Sequence, residues 1–322
     1  MKYKTIATIK RGMSKDIKKI VNMNGETFLL RKVVYSVEKL NHYKLLSLIK
    51  EEDINMSKLR YLYYDSYYIY AFFDYINGIV LEDCIRELSK KSAYNYGIQA
   101  GHILRQIHDN KILNNKLKSK TSNMKCVDIV IKNYRKINIK SSNTDAIFNM
   151  ILHDISNTNI NFDDYCYLNA DFHYGNFILN KGKLFVVDLE KHEIGNRYRD
   201  FTFIYTYDEN RTFALGIIDG YFDNNVSTDF WIQFKFFSAL YLLQYYMWEY
   251  KRTGNHNNAE QIINCFLNDY DDDNLIPKWY VKEKMQKQGY LNIQDQLELL
   301  NKKGIIINSD QDSKILSQIN YY

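Results

Sequence analysis

A single proline, Pro277, and thirteen glycines are spread over 322 residues. With no internal repeat and no extended low-complexity linker, the chain is neither a solenoid nor a string of modules on flexible spacers. Cysteine is scarce too. Cys84, Cys126, Cys166 and Cys265 lie forty or more residues apart with no C-x-x-C pair, which excludes a disulfide framework and predicts free thiols in a reducing cytoplasm. The opening MKYKTIATIK has no sustained apolar segment, so no secretory leader is expected and the protein should stay inside the cell. Charge of one sign is not in excess: 43 basic against 38 acidic residues leave +5, dispersed along the chain, and this predicts neither nucleic acid nor a membrane as partner. The longest apolar stretch, Phe230 to Trp248, is interrupted by Gln233, Lys235 and Gln244, which predicts a buried helix rather than a membrane span.

What the chain does have is concentrated in YLNADFHYGNFILNKGKLFVVDLEKHE, residues 167 to 193. Phosphoryl transfer needs one carboxylate to orient and deprotonate an acceptor hydroxyl and oxygen ligands to hold Mg²⁺ on a triphosphate. Asp171 fits the first task. Asn176, five residues on, and Asp188, at the end of the apolar run Leu184 to Val187, fit the second. Phe177 to Leu179 and Leu184 to Val187 read as two strands around the turn Asn180-Lys181-Gly182-Lys183, a hairpin that would fold Asn176 back beside Asp188. Asp and Asn are common turn residues and each alone carries little weight. Their joint spacing, with His173 and Gly175 between them, is far more specific than a lone glycine-rich loop.

The rest of the chain divides in character. Residues 3 to 34 carry β-formers around two turn signals, Gly12 and Asn24-Gly25, and predict three antiparallel strands. Val37 to Lys50 has apolar residues at helical spacing, and Arg60 to Ile76 is strand-like with a turn at Asp65-Ser66. From Leu81 onward helices are expected at Leu81 to Lys90, Tyr94 to Asn110, Val127 to Ser156, Asp229 to Arg252 and Asn258 to Asn268. A chain of this length, 46% hydrophobic, buries a large core and is expected to split in two.

ADFHYGNFIL followed by VVDLE resembles the catalytic loop and metal-binding strand of the aminoglycoside phosphotransferase family, whose usual form is roughly HGDxHxGNxL and then IDF or IDW. Further segments resemble that family in order: Lys10 to Ser14 its phosphate loop, Phe28 to Arg31 the strand with its nucleotide-binding cation, Phe72 to Gly78 its hinge, Gly101 to His108 the helix beyond it, and Ile194 to Asp200 the segment closing the site. The resemblance implies an α+β, bilobal, protein-kinase-like fold, with a nucleotide-binding lobe in residues 1–75 and a mostly helical catalytic and substrate-binding lobe in 76–322. It implies ATP (or GTP) and Mg²⁺ as cofactors and a small-molecule hydroxyl as acceptor. Backbone N–H groups of Gly12, Met13 and Ser14 would meet the phosphates; Gly12 by itself reads better as a plain hairpin turn, and the Asp171 constellation is what raises the nucleotide reading. Arg31 would be the cation, with Lys32 adjacent, and the backbone of Asp74 and Ile76 would meet the base. His173 is expected to be structural, His108 to sit at a helix C-terminus, and Asp200 to brace the loop.

Three features depart from the family pattern. Asn169-Ala170-Asp171 stands for His-Gly-Asp, His42 occupies the helix position of the glutamate that partners the cation, with Glu38 one turn earlier, and the cation is Arg31. These keep a second reading open, a nucleotide-binding regulatory protein without turnover. For the acceptor, the acidic run Asp269 to Asp273 is either the wall of a pocket for a polycation or a solvated turn, and the 29 tyrosines offer stacking faces or reflect composition. An aminoglycoside or similar antibiotic is the leading expectation. The VDLE and GNR segments also resemble choline and ethanolamine kinases, and sugars stay open.

Overall fold

A computed structural model describes residues 2–11, 16–115, 123–189, 193–206, 210–271 and 274–289. Its first part is an antiparallel sheet built from β1 (Lys4–Ile9), β2 (Ile17–Met23), β3 (Glu26–Val34), β4 (Leu59–Tyr64) and β5 (Tyr68–Asp74), in spatial order β1-β2-β3-β5-β4. The Asn-Gly signal does what its stereochemistry allows. Asn24 (φ 56°) and Gly25 (φ 89°) form a two-residue turn, and Met23 pairs with Glu26 beside it. At the β4–β5 turn the Asp65 carboxylate accepts the N–H groups of Tyr67 and Tyr68. Helix α1 (Val37–Ser47), capped by the Ser36 hydroxyl, buries Leu40, Tyr43, Leu45 and Leu46 in one core with Val33, Ile69, Ala71 and Phe73 of the sheet. A smaller cluster of Val21, Met23, Phe28, Leu30 and Phe72 forms a second core.

Beyond Asp74 the chain turns largely helical. The expected helix at Leu81 to Lys90 is instead two 3₁₀ turns, Leu81–Asp83 and Ile85–Glu87, because the Ser89 hydroxyl caps the next helix and starts it at Lys90. That helix, α2 (Lys90–His108), is followed by α3 (Lys111–Asn115). The stretch expected at Val127 to Ser156 is two helices, α4 (Asn123–Lys136) and α5 (Ser142–Asn157), separated where Ser141 and Thr144 form a capping box. After α6 (Phe203–Thr206) come α7 (Arg211–Phe222), α8 (Thr228–Thr253) and α9 (Asn257–Asp269), and a further helix runs over 278–289.

Helix α7 was not anticipated, because its sequence is apolar on every side and every residue from Thr212 to Tyr221 is buried. It crosses α2 at backbone contact. A methyl group on Gly97 would sit 2.3 Å from the Phe213 carbonyl oxygen, and one on Gly216 would sit 2.3 Å from that of Tyr94. Helix α8 buries Phe230, Phe234, Phe236 and Phe237, each worth about 1.5–3 kcal/mol of transfer free energy. Its Gln233 is also buried, with its amide satisfied by Asn161 N–H and the Asn159 carbonyl. None of the helices described is long and apolar enough to cross a membrane.

Four short strands complete the site region: β6 (Ile79–Val80), β7 (Cys166–Leu168), β8 (Phe177–Asn180) and β9 (Lys183–Val186), with β10 (Glu193–Gly195) on β7. The β8–β9 hairpin turns through Lys181 (φ 48°) and Gly182 (φ 78°) as expected. It is joined to the first sheet by hydrogen bonds from Ser57 N–H to the Val186 carbonyl and from Val186 N–H to the Asn55 carbonyl. The four cysteines are free thiols.

Candidate active site

Asp171 sits in a loop held from below. The Asp200 carboxylate, 2% exposed, accepts the N–H groups of Asn169 and Ala170 at 2.7 Å each and lies 2.9 Å from His108 Nε2, whose other ring nitrogen is 2.9 Å from the Tyr221 hydroxyl. His108 is thus part of the support of the loop rather than a group acting on a helix terminus. Asn169 Oδ1 accepts Asp171 N–H at 3.1 Å, an Asx turn that fixes the residue it precedes. Ala170 is held at φ 59°, where glycine is at home and alanine costs about 1–2 kcal/mol; the two bonds to Asp200 offset that strain.

Asn176 is brought onto Asp171. Its Nδ2 donates to the Asp171 carbonyl (2.9 Å) and carboxylate (3.1 Å), which turns Oδ1 the other way, where no described residue donates to it. Across the hairpin, Val187 N–H donates to the Asn176 carbonyl, and the chain then turns at Asp188 (φ 64°), a left-handed conformation aspartate tolerates, carrying its carboxylate off the strand. His173 Nδ1 accepts Gly175 N–H, closing the intervening turn.

Two cations meet Asp188. Arg31 Nη1 donates to Oδ1 at 2.6 Å and Lys18 Nζ to Oδ2 at 3.2 Å. Burial pushes the Asp188 carboxyl upward, and the charges of Arg31 and Lys18 more than reverse it, so that it ionises below the usual carboxylate range. Arg31, 4% exposed, also donates through Nη2 to Asp16 at 3.0 Å. Lys32 instead lies over the Tyr68 ring at 3.8 Å. His42 does not take the place of a glutamate beside Arg31. It is buried, with Nε2 at 3.1 Å from the Leu189 carbonyl and its ring stacked on Tyr167. Glu38 is exposed, and besides Asp188 the guanidinium is met by Asp16.

Sequence reasoning missed Asp16 and Lys18, although the register held the second. Counting back from the Asn24-Gly25 turn sets Lys18 opposite Arg31 on neighbouring strands, as observed. Of the predicted nucleotide-contacting residues, Gly12, Met13 and Ser14 lie outside the described residues. Asp74 ends β5. Its N–H donates to the Lys58 carbonyl, its carbonyl accepts the Ser57 hydroxyl at 2.7 Å while keeping a second lone pair, and its carboxylate is bound by Arg60 at 2.8 and 2.9 Å. Ile76 follows in the half-buried link to β6.

Asp171 opens on a cleft of about 1000 Å³ walled by α4, β10 and α8, with Ile129, Glu193, Tyr241 and Trp248 among its lining. Of the acidic run, the described residues Asp269, Tyr270 and Asp271 are not among the cleft's lining. Asp269 accepts Trp279 N–H and Asp271 pairs with Lys278, which ties them to the α9 turn, and Asp272 and Asp273 lie outside the described residues.

The donor set suits a hard divalent ion carried by a nucleotide: an amide oxygen, a carboxylate kept ionised, and two cations within reach of the same space for phosphate. Among the described residues no group of three or more His, Cys, Asp or Glu side chains is placed to hold a metal unaided.

A family model described as phosphotransferase enzyme family matches residues 5–231. Comparison with curated protein sequences gives no match. Among solved structures, the chain is similar to a spectinomycin phosphotransferase bound to ADP and spectinomycin (TM-score 0.52, 16% identity, 86% of this chain and 92% of that one). It is also similar to an amicoumacin kinase bound to AMP-PNP, Ca²⁺ and Ami (0.57, 12%, 85% and 91%). A choline/ethanolamine kinase family protein from Mesorhizobium loti is a third (0.61, 10%, 86% and 91%). At these identities the likeness speaks for the fold, which is kinase-like.

Proposed function

The chain belongs to the phosphotransferase enzyme family, and from that premise we propose that it moves the γ-phosphoryl group of ATP, with Mg²⁺, onto a hydroxyl of a small, positively charged molecule. Aminoglycoside antibiotics are one such class and choline-like amino alcohols another. The observation that carries this reading is the Asp171–Asn176 contact beside an Asp188 held by two cations. Asp171 would take the hydroxyl proton and aim the oxygen, while Asn176 Oδ1 and Asp188 would hold the metal. Held there, Mg²⁺ would supply positive charge against the phosphate oxygens. Arg31 and Lys18 would turn from Asp188 toward phosphate oxygens, which the backbone N–H groups of Gly12, Met13 and Ser14 would also serve, and the backbone of Asp74 and Ile76 would meet the base. Residues 1–75 would then be the nucleotide lobe and 76–322 the catalytic lobe, in a cytoplasmic enzyme. Asn169 and Asp200 hold the loop at the place of the absent histidine, which supports turnover over a purely regulatory role.

The test is an ATP-consumption screen over aminoglycosides, macrolides, choline and sugars. At least one acceptor should stimulate turnover, and Asp171→Ala should lower kcat on it by roughly 10²–10⁴-fold while nucleotide still binds. Nucleotide binding with no turnover on any acceptor would assign the chain to regulation instead.

A further inference from the structure

His42, on α1, stands where the sheet part of the chain meets both loops of the site. Its buried ring places Nε2 3.1 Å from the Leu189 carbonyl oxygen. A carbonyl only accepts, so in either protonation state of the ring Nε2 carries the hydrogen and His42 is the donor. Nδ1 lies 3.4 Å from the Tyr167 hydroxyl, and the two rings are stacked with planes 4° apart. Tyr167 belongs to β7, two residues before Asn169. The imidazole therefore spans from the strand that leads to Asp171 to the turn that follows Asp188.

What the bond to Leu189 does follows from the backbone around Asp188. That residue is held at φ 64°, a conformation that a residue other than glycine keeps only where its surroundings fix it. Upstream, Val187 N–H is bonded to the Asn176 carbonyl; downstream, the Leu189 carbonyl is bonded to His42. In this structure Arg31 and Lys18 also hold the Asp188 carboxylate. On the reading just given, those two cations turn to phosphate when nucleotide binds, and the backbone bonds on either side of Asp188 remain to keep it in place. We infer that His42 is a positioning residue for Asp188, serving the metal site and not the guanidinium. An ionised glutamate in its place would set a second acceptor against the Leu189 carbonyl and make no such bond.

The experiment is calorimetric titration of ATP into the full chain at a series of Mg²⁺ concentrations, with Tm recorded for each variant. His42→Leu fills the space without a donor, and His42→Asn carries an amide that falls short of Leu189. Each should raise the Mg²⁺ concentration for half-maximal enhancement of ATP binding by about 10–100-fold, the usual loss when a group that orients a metal ligand is removed. ATP binding without Mg²⁺ should match wild type. His42→Gln, whose amide N–H reaches as far as Nε2, should restore the Mg²⁺ response, and His42→Glu should not. Should His42→Leu fail to fold, the Asn and Gln variants decide. A Mg²⁺ response that the Leu and Asn variants keep, whatever their Tm, or that Gln restores no better than Asn, overturns the inference and leaves the metal reading standing. ATP binding that ignores Mg²⁺ in wild type overturns the metal reading and the inference with it.

Discussion

Asp188 holds the site together through charge. Its carboxylate is the common partner of Arg31 and Lys18, and Arg31 is held from behind by Asp16, so one guanidinium fork spans two carboxylates. A triphosphate arriving with Mg²⁺ would exchange partners within this set rather than bring charge into an empty site. Asp16→Ala should therefore loosen Arg31 and raise KM for ATP about 10–100-fold, the worth of a charge-assisted bond of roughly 1.5–3 kcal/mol, with kcat changed less. Steady-state kinetics at varied ATP check it, and an unchanged KM would remove Asp16 from the nucleotide site. That the chain brings Asp171, Asn176 and Asp188 to one place was legible in the sequence, because theirs is a spacing a hairpin can close. Asp16 was not, because the pattern sought its carboxylate on α1, where His42 instead binds the Leu189 carbonyl. His108 was hidden for a similar reason: a histidine at the end of a helix says nothing of the buried Asp200 it meets in space.

At the level of elements, short-range signals were readable and tertiary ones were not. Asn24-Gly25 and Lys181-Gly182 set their hairpins through backbone stereochemistry that any reader of the chain can see. Helix α7 left no amphipathic period, since its glycines face α2 and the rest of it is covered elsewhere. The helix over 278–289 is likewise fixed by a distant residue. Asp219 of α7, fully buried, accepts Lys284 at 2.7 Å, Lys287 at 3.0 Å and the hydroxyls of Tyr94 and Tyr280. Burial raises its carboxyl and the bonds from Lys284 and Lys287 lower it further, so the net shift is downward. A lowered folded pKa means that the contribution is present above the unfolded value near 4 and is lost as pH falls through the lower folded value. Asp219→Asn should cost about 2–3 kcal/mol at pH 7, less than a fully buried pair because both lysines reach water, and the gap from wild type should close below pH 4. Urea unfolding at the two pH values checks it; an equal gap at both would mean the lysines contribute nothing through charge.

For the whole molecule, the sheet and the helical part share one hydrophobic core, and charge pairs and a few backbone bonds tie them together beside it. Arg31 and Lys18 reach Asp188, Arg11 pairs with Glu82 and Asp83 on the first 3₁₀ turn, and residues 55–57 bond to β9. The passage from a sheet to mostly helices was legible because strand-forming segments give way to helix-forming ones along the chain. The cleft was not, since the aromatic residues of α8 read in sequence as ordinary core. The central claim is that Asp171, Asn176 and Asp188 serve one metal-nucleotide site in which only Asp171 acts on the acceptor. Calorimetric titration of ATP, with and without Mg²⁺, into wild type, Asp171→Ala and Asp188→Ala tests it most directly. The account predicts Mg²⁺-enhanced binding in wild type, the same binding in Asp171→Ala, and loss of the Mg²⁺ enhancement in Asp188→Ala; ATP binding indifferent to Mg²⁺ and unaltered by Asp188→Ala would contradict it.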